Sequence, residues 1–106
     1  MLYLQKSSQI HAYIDILAQE KIIWVDTEVA DWDTNHPRLS LIQVLTDATD
    51  MKGDLTYIFD VLDKPDLVTE FIQRIMVNSR IKKVFHNSSY DLRFLGKDKA
   101  KMSLAL

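Results

Sequence analysis

Cysteine is absent from the 106 residues, which removes disulfides, thiolate metal sites and cysteine nucleophiles from consideration at once. That absence also suits a reducing compartment, and a cytoplasmic protein is expected. Only two Gly and two Pro occur, so long glycine-rich loops and proline-rich linkers have no material to form from. Charge of one sign is lacking too. Thirteen basic against fifteen acidic side chains leave a net charge of −2, which gives no global attraction to polyanions or to membrane surfaces. No apolar run approaches the roughly 20 residues that span a bilayer, and the N-terminus lacks a basic segment followed by an apolar core. The 47% of hydrophobic and 26% of charged residues are those of one soluble domain with a modest core.

What is present is a series of short apolar segments. Leu2-Tyr3-Leu4 suggests a short strand. Ile10, Tyr13, Ile14 and Leu17 fall at one helical face, predicting a helix over roughly 8–19 with Ser7 or Ser8 as its cap. The run Ile22-Ile23-Trp24-Val25 reads as a strand covered on both faces and leads into Asp26-Thr27-Glu28. Leu39 to Thr46 alternates as a second strand, with Leu39, Leu41, Gln43 and Leu45 on one side, and Thr56 to Val61 makes a third. Asp63-Lys64-Pro65-Asp66 has the form of a helix start with Asp63 as cap. Leu67, Val68, Phe71, Ile72, Ile75 and Met76 supply that helix's apolar stripe. Ile81 to Asn87 is a fourth strand, and Ser88 to Leu95 a helix in which Ser88 and Asp91 suit a capping box. The order predicts an α/β domain, an antiparallel meander followed by a helix and a parallel strand beside the first long one.

Asp26 and Glu28 stand two positions apart, so they project from one face of a strand about 7 Å apart. Paired acids at the end of a buried strand repel each other, and a hard divalent cation such as Mg²⁺ or Mn²⁺ offsets that cost. The plainer reading is a solvated strand end. Asp31 and Asp33 repeat the spacing, but they lie in a polar loop where Asp commonly serves turns. With the fourth strand beside the first, Asp91 is expected to face Asp26 and Glu28, three carboxylates converging on one pocket. Arg80, Lys82, Lys83, Arg93, Lys97, Lys99 and Lys101 add a local positive bias that is either a solvated face or a phosphate-binding one.

Three segments together carry a family resemblance: Asp26-Thr27-Glu28, then His36-Pro37-Arg38-Leu39-Ser40-Leu41-Ile42-Gln43, then Phe85-His86-Asn87-Ser88-Ser89-Tyr90-Asp91-Leu92. They resemble the first two motifs of the DEDD-type 3′–5′ exonucleases, in particular the ribonuclease D group and the exonuclease domain of the Werner syndrome helicase. The resemblance implies a ribonuclease H-like mixed sheet, two divalent ions (Mg²⁺ or Mn²⁺) and cleavage at the 3′ end of RNA or DNA. It implies metal-binding, catalytic roles for Asp26, Glu28 and Asp91, and places Thr27, Asn87 and Tyr90 at or beside the substrate. The family's third motif, Tyr or His followed by Asp, is not met before Leu106, so the fourth carboxylate, the last strand and the helices over it are expected to be missing. Two other readings stand beside this one. One is a binding module of the same fold without the chemistry. The other is an interaction subunit whose open fourth-strand edge and apolar tail, Met102 to Leu106, take a partner strand or a second copy.

Overall fold

The computed structural model describes residues 1–47, 55–85, 88–96 and 104–105, with backbone alone for 88–90 and 104–105. Its strands are β1 (Leu2–Leu4), β2 (Ile22–Ala30), β3 (Arg38–Leu45), β4 (Thr56–Asp60), β5 (Lys82–Phe85) and β6 (Leu104–Ala105). The helices are α1 (Ser7–Leu17), α2 (Pro65–Phe71) and α3 (Ser88–Leu95). One mixed sheet runs in the order β1-β4-β3-β2-β5-β6. β2, β3 and β4 form the antiparallel meander, and β5 lies parallel to β2. The meander and the parallel strand are the expected arrangement, whereas the pairing of β1 with β4 and a further strand, β6, beside β5 were not expected.

The core forms on one side of the sheet. Ile23 and Val25 of β2, Ile42 and Val44 of β3, Phe59 of β4 and Phe85 of β5 point to it. Ile10, Ile14 and Leu17 of α1 pack there with Leu67 and Phe71 of α2 and Leu95 of α3. Tyr13 of α1 meets Tyr57 of β4 with ring centroids 5.2 Å apart, and Phe59 meets Phe71 edge-on at 6.3 Å. After Phe71 the helix widens through Ile72–Met76 into π-helical geometry, where the Val77 N–H reaches back to the Ile72 carbonyl. That register keeps Ile72, Ile75 and Met76 all buried.

Several expectations are corrected. Lys6, not Ser7 or Ser8, caps α1, and Lys64, not Asp63, caps α2; neither uses its side chain. Asp63 instead takes a left-handed turn at φ 57°, a conformation that Asp tolerates better than most residues. The register of β3 shifts opposite Glu28 and Val29, so Leu41 pairs with Glu28 and Leu39 with Val29. The bulge at Ser40 turns Leu39 into the core, while Gln43 stays exposed, so the four residues do not share one side. Ile22 and Trp24 are only half-buried, because among the described residues no helix covers their face of the sheet. The fourth-strand edge is not left open along its length, since β6 pairs with Lys83 and Val84. Lys83 itself is fully buried and leaves the expected basic surface; Lys97, Lys99 and Lys101 lie outside the described residues. No described helix is long and apolar enough to cross a membrane.

Candidate functional site

β2 alternates, and the alternation sorts its chemistry. Ile23, Val25 and Thr27 enter the core side, whereas Trp24, Asp26 and Glu28 stand on the open side with both acids exposed. Register places Gln43 beside Asp26, and Leu41 beside Glu28. Trp24, Asp26, Gln43, Leu45 and Val84 line an open groove of about 430 Å³ on this side, with Val25 and Phe85 completing its wall. Asp26 Oδ1 accepts the Thr27 backbone N–H at 2.9 Å, which orients the carboxylate. Among the described residues no cation pairs with Asp26 or Glu28, whose two negative charges share one face of the strand. Gln43 had no role assigned from sequence; the hairpin register is the signal that brings it to the site.

Asp91 is placed otherwise than expected. It is 2% exposed, and its Oδ1 accepts a hydrogen bond from the Thr27 hydroxyl, which belongs to the core side of β2. The start of α3 lies past the last residue of β5, where β2 has lost its neighbour at Val25. Asp91 therefore reaches β2 from behind the strand, while Asp26 and Glu28 leave from its front. Among the described residues no three His, Asp or Glu side chains come together to hold a metal ion. The expected three-carboxylate pocket is not assembled, because opposite faces of one strand separate its members. Thr27 is 7% exposed with its hydroxyl committed to Asp91, so its side chain braces the helix start. Asn87 and the Tyr90 side chain, both assigned to the substrate, lie outside the described residues, as does the capping of α3.

The donor set left at the front of β2 suits one hard cation. Mg²⁺ keeps several waters and takes one or two protein carboxylates, which is what Asp26 and Glu28 offer; a second ion would need donors beyond these two. Of the other acid pair, Asp31 serves structure, and Asp33 is exposed. Asp31 turns the chain at φ 56°, and Arg38 donates from Nη2 to Asp31 Oδ2 at 2.8 Å and from Nη1 to Asp63 Oδ1 at 2.7 Å. Both carboxylates, Asp31 first, raise the guanidinium pKa. Arg38 thus fastens the β2–β3 loop to the turn before α2.

A 3′–5′ exonuclease domain model matches residues 1–104. No curated protein matches the chain by sequence. Among solved structures, the catalytic core of RRP6 from Trypanosoma brucei superposes with a TM-score of 0.75 at 24% identity, over 97% of this chain and 27% of that one. The Aedes aegypti Nibbler EXO domain gives 0.70 at 17% identity, over 98% of this chain and 46% of that one. Trypanosoma brucei RNase D in complex with RNA U12 gives 0.68 at 21% identity, over 92% and 34%. The chain thus spans less than half the length of each of these structures, and at such identity the likeness speaks for the ribonuclease H-like fold. With the family model covering almost every residue, the chain belongs to the 3′–5′ exonuclease domain family.

Proposed function

We propose that this chain acts on the 3′ end of single-stranded nucleic acid as a divalent-metal-dependent exonuclease, with Asp26 and Glu28 as the protein ligands of the ion. The observation that carries this reading is the exposed acid pair on one face of β2, with Asp26 lining an open groove and no cation beside either acid among the described residues. Two exposed carboxylates on one strand face repel each other unless a cation lies between them. A bound Mg²⁺ or Mn²⁺ would polarise the scissile phosphate and lower the pKa of an attacking water. The groove, at about 430 Å³, falls in the size range of small-ligand sites, roughly 300–1,000 Å³, and its walls of Trp24, Leu45 and Val84 are apolar enough to seat a terminal base. RNA is the favoured substrate class, because a structural relative was crystallised with RNA U12. Asp91, the third carboxylate of the expected set, acts from behind the strand by holding Thr27 between the two ligands.

Binding without cleavage is the second reading, and a specific observation favours it: two carboxylates, not four, stand at the front of β2 among the described residues. Without a general base a rate typically falls by about 10²-fold or more, and none stands beside Asp26 and Glu28 among the described residues, so turnover is expected to be slow. A 5′-labelled single-stranded RNA incubated with Mn²⁺ at high protein concentration separates the two. A ladder shortened from the 3′ end, abolished in Asp26→Ala, supports the exonuclease. Intact RNA that stays bound in EDTA supports the binding module and removes catalysis.

A further inference from the structure

Trp32 is 72% exposed, the largest side chain of a β2–β3 loop whose residues 31–36 are all exposed. A tryptophan usually buries about 150–250 Å², and the place it occupies needs no particular side chain. Asp31 to Thr34 closes a turn through the Thr34 N–H to the Asp31 carbonyl at 3.1 Å, so Trp32 is the first central residue of that turn, a position most residues can fill. The loop is nonetheless built to hold still. The Thr34 hydroxyl also donates to the Asp31 carbonyl at 2.8 Å, the His36 N–H reaches the Thr34 Oγ1 at 3.2 Å, and Arg38 grips the Asp31 carboxylate. A well-braced turn that presents an indole to solvent, with no ring partner among the described residues, has the form of a stacking platform.

We propose that Trp32 stacks an unpaired base of a single strand whose 3′ end reaches Asp26 and Glu28. The inference rests on the exonuclease reading and adds a substrate contact to it. Trp32 follows Glu28 by four positions, so its Cα lies within about 14 Å of the Glu28 Cα, a few nucleotides from the acids. Arg38 neutralises Asp31, but Asp33, the next residue in the turn, remains an exposed negative charge. Phosphate contact there is disfavoured, and the base face, which carries no charge, is what the ring can take. Stacking of this kind tolerates any base. Its contribution is also independent of salt, unlike phosphate contacts, which weaken as salt rises.

The test is the affinity of a short fluorescein-labelled single-stranded oligonucleotide, with Ca²⁺ present, for the wild type, Trp32→Ala and Trp32→Tyr at low and high salt. Stacking on Trp32 predicts roughly tenfold weaker binding in Trp32→Ala, recovery in Trp32→Tyr, and the same ratio at both salts. Circular dichroism should be unchanged, because the side chain is exposed. Equal binding by wild type and Trp32→Ala overturns the stacking contact and leaves the exonuclease reading standing. No binding by the wild type in the presence of the cation takes down both. Trp32-dependent binding of a lysine-rich peptide in place of the oligonucleotide overturns the base as occupant, since Asp33 and the ring then serve a cationic protein segment.

Discussion

Thr27 joins the two halves of the candidate site. Its backbone N–H orients Asp26 on the front of β2, and its hydroxyl holds Asp91 on the back. Thr27→Val keeps the shape and removes the hydroxyl, so a buried hydrogen bond to a carboxylate is lost. The expected cost is about 2 kcal/mol, read as a lower urea midpoint at unchanged slope. A variant as stable as the parent contradicts the brace. The acid pair itself was legible in the sequence, since spacing alone puts Asp26 and Glu28 on one face of a strand. The side from which Asp91 approaches was not. That depends on where β5 stops relative to β2 and on how the next helix leaves the sheet, and neither has a signature in residue types.

At the scale of elements, β5 shows what an alternating pattern hides. Lys82, Lys83, Val84 and Phe85 read as a strand with a basic start, yet Lys83 shares the core side with Phe85 and is fully buried. Its ammonium donates to the Asn78 carbonyl at 2.8 Å, just past the π-helical turn. Burial lowers its pKa from 10.5 to about 8. Between those values the unfolded chain binds more protons than the folded one, so this group's effect on stability becomes more favourable as pH rises through that window. Lys83→Met, a replacement of similar length without the charge, is therefore expected to be more stable than the parent at pH 7. The gap between the two should shrink towards pH 10, as followed by urea unfolding. A gap that does not change with pH would show that desolvation of the ammonium is not the cause. The strands and the α1 and α2 stripes were readable because apolar periodicity is a local signal. The bulge that turns Leu39 inward was not, because it arises from pairing with β2.

For the whole molecule, the division of the sheet into a packed side and an open side gives the chain its character. The three helices and the buried residues of every long strand share one core, so stability resides on one side and the candidate chemistry on the other. Four consecutive apolar residues in β2 led to an expectation of cover on both faces. Ile22 and Trp24 show why the pattern misleads here: their side chains line or border the open face and are only half-buried by their neighbours. The family match covers residues 1–104, and the proposed function rests on the acids at the front of β2. Titration with Mn²⁺, followed by the loss of the free ion's paramagnetic signal, tests this most directly. Wild type is predicted to take up the ion, with the uptake weakened roughly tenfold or more in both Asp26→Asn and Glu28→Gln, the loss that follows from one missing contact to a charged group. Uptake that is unchanged in both variants would contradict the assignment of Asp26 and Glu28 as its ligands.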